Sequence, residues 1–385
     1  MNQQTIYDCI LIGGGISGSA LAYELAKNKL KVLLLEKDNF LNNATSLSYG
    51  GLPYWAGTNS EISSILTEGI NIYRNLSDEL DHNIEFQQLD LLLTIDNSED
   101  PQQVSQQYNQ CFHIPELLDI ESACQLEPLL NPLSISGALR ANHAHVNPTR
   151  VSIAYQNSFK KIGGKIIYEE VTGFLHKENQ IQGVVTKSNK YFGSHIIVCA
   201  GGLSRSLLES IGIKTEVYFT NDVVLKVSAQ NNIQLSTMLM PATTKRFSLE
   251  SRMSKEDLSW QKISPEILES IIDIGAVKFQ DGSLYLGQIS HIITDPHTKF
   301  DLNWSQKQIK SGIDRLLPSL IDIPFTTHSC LVSFSKDPNR PWMGRMPNWS
   351  GIYSFGGFSA GILLAPVMAR RFASAIIDNS IDYLS

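Results

Sequence analysis

The sequence predicts an α/β chain: a doubly wound parallel sheet joined to a second, mainly antiparallel β lobe. Three observations predict it. An apolar strand, a glycine-rich turn, a helix and a second strand open the chain between Ile6 and Glu36. Two further strand-like runs, Ser194 to Cys199 and Ile352-Tyr353-Ser354-Phe355, end in small residues, Ala200-Gly201-Gly202 and Gly356-Gly357. Between Val217 and Tyr285 short strand-like runs follow one another, with a hairpin signal at Asp281-Gly282.

The opening unit carries the most chemistry. Gly13, Gly15 and Gly18 form G-x-G-x-x-G between a strand and a helix that starts near Ser19. Gly13 allows a tight turn, Gly15 lets a pyrophosphate reach the backbone, and Gly18 lets helix and strand pack closely. The helix N-terminus offers free N–H groups and a positive dipole end. Glu36 stands about 20 residues on, where an acid accepts bonds from ribose hydroxyls. Together these predict a Rossmann-type dinucleotide site; the alternative is a plain βαβ unit.

Downstream, Ala44-Thr45-Ser46 through Gly50-Gly51-Leu52 is a small-residue loop suited to pressing against a flat ligand. Apolar spacing predicts helices over Glu61 to Leu80, Pro115 to Leu126 and Val151 to Ile162, the last capped by Asn147 or Thr149. Strands are expected at Phe86 to Ile95 and Lys165 to Val171. A helix is expected over Pro265 to Ile274, another over Trp304 to Leu317, and a closing one over Ile362 to Ile377. His143 and His145 are expected to serve structure. Tyr54 and Trp55 either line a cation–π surface or pack at a lobe boundary.

Composition narrows the class. With 385 residues, two lobes are expected. A net charge of −7 argues against a nucleic-acid surface. Five cysteines without C-x-x-C spacing read as reduced thiols, and no histidine–cysteine cluster reads as a metal site. No stretch reads as a signal peptide or membrane span, so a cytoplasmic location is expected, or an organelle stroma or matrix if organelle-encoded.

Taken in order, these motifs resemble the D-amino-acid oxidase family of flavoproteins, the group with glycine oxidase and monomeric sarcosine oxidase. The resemblance rests on the opening unit and the Ala44 to Gly51 loop. It also rests on Val146-Asn147-Pro148-Thr149-Arg150, Val198-Cys199-Ala200-Gly201-Gly202, Asp281 to Gly287, Ser335 to Gly344 and Gly356 to Pro366. It implies FAD, with a Rossmann-type FAD-binding domain over residues 1–80, 141–215 and 330–385. A substrate domain (α+β, mainly antiparallel) would cover 81–140 and 216–329. By the same resemblance Gly13, Gly15, Ile16, Ser17 and Gly18 hold the pyrophosphate, and Glu36, with Lys37 nearby, the ribose. Thr45 and Ser46 meet the phosphate or ribityl region, and Gly50, Gly51 and Leu52 the isoalloxazine edge. Val171 meets adenine, Ala200 and Gly201 make a second glycine contact, and Gly357, Phe358, Ser359, Ala360, Gly361 and Ile362 face the pyrimidine ring. Cys330 takes the approximate place of the flavin-linked cysteine of sarcosine oxidase; otherwise it is a small buried thiol.

The sequence departs from the family where a substrate carboxylate would be held. The arginine slot reads Cys330-Leu331-Val332-Ser333-Phe334, and the lysine of sarcosine oxidase aligns with Leu363. Arg246, Arg252 or Lys336 would have to substitute. The expected function is hydride transfer from a C–N bond of an amine or amino acid to flavin N5. The alternatives are a 2-hydroxy-acid or alcohol dehydrogenase, and an FAD-binding or electron-transfer protein without turnover. The electron acceptor, oxygen or a redox partner, stays open.

Overall fold

The computed structural model describes residues 5–39, 43–229, 233–243, 245–255, 260, 265–337 and 340–381, with the side chains of 246 and 247 excepted. Its first sheet is built on the opening strand, Ile6–Ile12, which pairs in parallel with Val32–Glu36 on one side and Lys190–Val198 on the other. Lys165–Tyr168 extends the parallel order beyond Val32–Glu36, and Ile352–Gly356 beyond Lys190–Val198. Val171–Lys177 and Gln180–Thr186 continue from Lys190–Val198 as antiparallel strands, and Trp342–Arg345 adds to Ile352–Gly356.

Both faces of this sheet are covered, which is why its strands read as unbroken apolar runs. Cys9, Leu11, Val32 and Leu34 face a helical layer formed by Ile16–Lys27, Ser60–Leu80, Pro148–Lys161 and Gly361–Ile377. Ile10, Ile12, Leu33 and Leu35 face Phe174, Ile181, Val184 and Leu208. Local signals place the helix ends. The Asn59 side chain caps Ser60–Leu80 through Ile62 N at 2.9 Å, and Asn147 caps Pro148–Lys161 through Arg150 N at 3.2 Å.

The second sheet runs, edge to edge, Thr326–Ser335, Val217–Val227, Leu284–Ile293, Ala276–Lys278, Met238–Pro241, Leu91–Asp96, Ile135–Ala141 and Glu116–Leu118. All neighbours are antiparallel except Met238–Pro241 with Leu91–Asp96. The Thr326–Ser335 strand lies wholly in this sheet, across residue 330. Helix Leu302–Leu316 packs Ile309 and Ile313 on its back face. The expected hairpin forms, with Gly282 at φ +84° and Phe279 N donating to Ser283 O at 2.9 Å.

Two expected helices differ. Pro265 to Ile274 is instead a strand, Ile267–Ile272, on the edge of Leu284–Ile293. Its isoleucines fit either state, and the open sheet edge supplies backbone partners that helical spacing cannot outweigh. Ser270 fixes the register by bonding His291 Nδ1 at 2.7 Å. Pro115 to Leu126 splits into strand Glu116–Leu118 and helix Ile120–Leu126, because the Asp119 side chain accepts from Ser122 N at 2.8 Å and starts the helix there. No helix among the described residues is long and apolar enough to cross a membrane.

Candidate functional site: a glycine-lined dinucleotide cradle

The parallel strands end side by side in the order Glu36, Gly13, Cys199-Ala200 and Gly356, so four sequence-distant segments converge on one sheet edge. This is the crevice where open parallel sheets bind ligands. Gly13 adopts φ +108°, and a Cβ there would lie 2.6 Å from the Cys199 carbonyl oxygen. A Cβ on Gly18 would overlap the Gly13 carbonyl. Both glycines are therefore required by contacts within the chain. Gly201 and Gly356 differ: no atom lies within 4 Å of a Cβ built on either. They border open space, as a cradle for a flat or extended ligand would.

Polar groups complete that edge. Gly14 N donates to a Glu36 carboxylate oxygen, and Asp38 N donates to the other at 3.1 Å. Ile16 N donates to Thr45 Oγ1 at 3.0 Å, which brings the small-residue loop onto the helix N-terminus. That helix has no acidic residue in its first turn and no side-chain cap, and the same holds for Gly361–Ile377. Neither helix start supplies an anion of its own, and the Glu36 carboxylate at Gly14 N is the acid that stands beside the first. The Tyr73 hydroxyl holds the Ile362 carbonyl and anchors the second.

Sequence reasoning missed what steers the glycine turn. The Gly14 carbonyl accepts from Ser19 Oγ at 2.8 Å and Gln156 Nε2 at 2.9 Å, with Ser152 Oγ at 3.4 Å. This buried cluster turns the carbonyl inward, toward the Pro148–Lys161 helix. Its only sequence signal was polar Ser152 and Gln156 on the buried face of an apolar-spaced helix.

The other expected residues fall in several places. Ser17 is half-buried in the first turn of the Ile16–Lys27 helix, Gly50 is buried, and Gly51 and Leu52 pair with His145 and Ala144. The Ser46 hydroxyl is engaged within its own loop at Asn43, and Ser46 O accepts from the Tyr285 hydroxyl at 2.9 Å. Gly357, with φ +71°, and buried Phe358 lead into half-buried Ala360 and Gly361, exposed Ser359 and buried Ile362. Lys37 pairs on the surface with Asp38 at 2.6 Å, and Val171 packs beside the Ile12, Leu35 and Val198 cluster.

The seam between the 44–56 loop and the second sheet is apolar. Leu47, Tyr49 and Trp55 pack with Leu91, Leu139, Val224, Met238, Tyr285 and Cys330, and half-buried Val332 joins them. Leu363 turns the other way, into the helical core against Gly69. Arg252 pairs with Glu269 and Lys336 with Glu216, both at the surface; the Arg246 side chain lies outside the described residues. Half-buried Tyr54 packs on the first core. Trp55 Nε1 donates to His143 Nδ1 at 3.2 Å, and His143 borders a cavity of about 360 Å³ with Tyr54, Gln88, Asp90 and Ser236 along its wall. His145 is engaged at both nitrogens, with Tyr49 O at 2.8 Å and Gln87 Nε2 at 3.3 Å. Burial lowers the pKa of His143 to about 3, with His145 adding to it, and that of His145 to about 4.

Fold and cradle together are those of a dinucleotide-binding α/β protein. The family profile described as FAD dependent oxidoreductase (DAO) matches residues 8–375, and the chain belongs to that family. It is 24% identical to glycine oxidase of Bacillus licheniformis, over 97% of this chain and 94% of that one. It is 30% identical to L-2-hydroxyglutarate dehydrogenase (mitochondrial) of Dictyostelium discoideum, but over 42% of this chain and 36% of that one. The crystal structure of glycine oxidase from Bacillus cereus shares the fold, with a TM-score of 0.76, 20% identity and coverage of 98% and 97%. The cofactor is FAD, and the open glycine cradle and the two uncapped helix ends fit its bulk and charge.

Proposed function

We propose that the chain oxidises the C–N bond of a small amine or amino acid, with hydride passing to flavin N5. Bound FAD supplies the two-electron acceptor. Gly13, Gly15, Ile16, Ser17 and Gly18 hold its pyrophosphate, Glu36 its ribose, and Gly50 to Leu52 the ring edge. The Gly361–Ile377 helix end favours negative charge gathering near it. The apolar seam excludes water.

One observation carries the choice of an amine. An alcohol needs a base to take its proton as hydride leaves, whereas a neutral amine keeps its lone pair free for the bond that forms. The three buried histidines supply no such base. An indole N–H can only donate, so His143 Nδ1 accepts and its proton sits on Nε2. His145 is bonded at both nitrogens, and His291 bonds Ser270 and Ser305 on the far side of the second sheet. Glycine oxidase among the relatives supports the same reading; the hydroxy-acid reading rests on the partial likeness to L-2-hydroxyglutarate dehydrogenase.

The test is anaerobic mixing of FAD-loaded protein with amines, amino acids and 2-hydroxy acids while following the flavin absorbance. Bleaching by amines or amino acids is expected. Bleaching by hydroxy acids alone would overturn the proposal.

A further inference from the structure

His143 is buried, yet its Nε2 has no hydrogen-bond partner. A buried donor left unmade costs about 1–3 kcal/mol, so such an atom needs an account. The neighbouring geometry gives one. Trp55 fixes the tautomer by donating to Nδ1, which leaves Nε2–H as a donor without a partner. That nitrogen lies against Gly51, 2.6 Å from where a Cβ would stand, with Met238 beside it. A side chain at position 51 would collide with the donor; glycine leaves room for the imidazole ring there, and His143 itself lines the adjoining cavity. Burial keeps the ring neutral, with a pKa of about 3, so the proton on Nε2 is present at any working pH.

We propose that His143, oriented by Trp55, donates a hydrogen bond from Nε2 to an acceptor atom of the flavin ring system at Gly51. The inference rests on the reading above that Gly50 to Leu52 border the ring. It assigns His143 to cofactor binding and Trp55 as its positioning residue. A donor at the ring stabilises electron density there, so it both tightens binding and favours the reduced flavin.

Three variants test it without substrate: His143→Leu, His143→Gln and Trp55→Phe. Apoprotein is titrated with FAD by flavin fluorescence quenching, and the midpoint potential is read by dye-coupled reduction. His143→Leu should bind FAD about tenfold more weakly, the equivalent of one hydrogen bond. Its potential should fall. His143→Gln, which keeps an N–H donor, should recover most of both. Trp55→Phe frees the tautomer and should fall between. If His143→Leu fails to fold, the other two still order the series. A folded His143→Leu with wild-type FAD affinity and potential would overturn the proposal. So would a change confined to KM, which would give the donor to the substrate. A wild-type apoprotein that takes up FAD while all three variants match it sinks this assignment alone. Wild-type protein that takes up no FAD sinks the reading of the Gly51 border with it.

Discussion

At the carboxyl edge of the parallel sheet the groups turned toward a ligand are backbone: the glycine turn at 13–18, the helix ends at Ile16 and Gly361, the open positions Gly201 and Gly356. At the seam with the second sheet the packed groups are side chains: Trp55, His143, Met238, Tyr285, Val332. The difference teaches how this fold divides its labour. The backbone edge has its geometry set by packing, and at Gly13 and Gly18 it tolerates no added atom. The seam is made by side chains, which can change without disturbing the fold. The slot where the family resemblance leads one to expect an arginine accordingly reads Val332, while the glycine spacing persists.

Substitution at Gly18 should have the largest effect. Its Cβ would overlap the Gly13 carbonyl oxygen, and neither the turn nor the helix can withdraw without opening the buried interface between them. Gly18→Ala should lower stability by about 3 kcal/mol and leave purified protein without flavin. Thermal melting and flavin content per chain check it. Retained flavin at wild-type stability would break the claim that main chain fixes this edge.

Gln156 comes next. Replacing it with Leu removes the 2.9 Å bond to the Gly14 carbonyl and leaves Ser19 as the main remaining donor. The turn should loosen, and FAD affinity should fall about tenfold, since one buried bond is worth roughly 1–2 kcal/mol. Fluorescence titration of the apoprotein measures it. Equal affinity would show that the turn holds its shape through its own backbone.

The cradle was far more legible in the sequence than the seam, and the physical reason is the same division. Glycine spacing records backbone geometry directly, so Gly13, Gly18, Gly50 and the Gly356 run could be read from position alone. Asp281-Gly282 announced its hairpin for the same reason. Side-chain partnerships leave no such trace. Nothing in His143-Ala144-His145 tells that one ring is bonded at both nitrogens and the other at one. Nothing local makes Ile267–Ile272 a strand; the edge of Leu284–Ile293 does. Leu363 looked like a vacated lysine position, yet it faces the helical core against Gly69, where a charge would be buried.

The seam histidines give a smaller effect with a definite sign. His145 has a folded pKa of about 4 against an ordinary 6.5, lowered by burial and partly restored by the Tyr49 carbonyl. Between those values the unfolded chain binds more protons than the folded one, so stability is lost as pH falls from 6.5 toward 4. The full contribution is on the order of 3 kcal/mol. His145→Gln should flatten the acid limb over that window in denaturant titrations at several pH values. Glu24 and Glu127, whose pKa burial raises, slope the other way in both proteins and cancel in the difference. An unchanged slope would mean that the ring protonates in place.

The smallest effects should come from the cations that a carboxylate-bearing substrate would seem to need. Arg252 and Lys336 sit in exposed pairs with Glu269 and Glu216. Exposed pairs contribute little, roughly 0–1 kcal/mol, and neither cation joins the apolar cluster of the seam. Arg252→Gln and Lys336→Gln should therefore change kcat/KM for the best reducing substrate by less than about twofold, with stability shifts of similar insignificance. A loss of a hundredfold in either would place that cation at the substrate. It would then erase the contrast drawn above, because the seam would hold a charge clamp after all, delivered from the rim and not from the arginine slot at Val332.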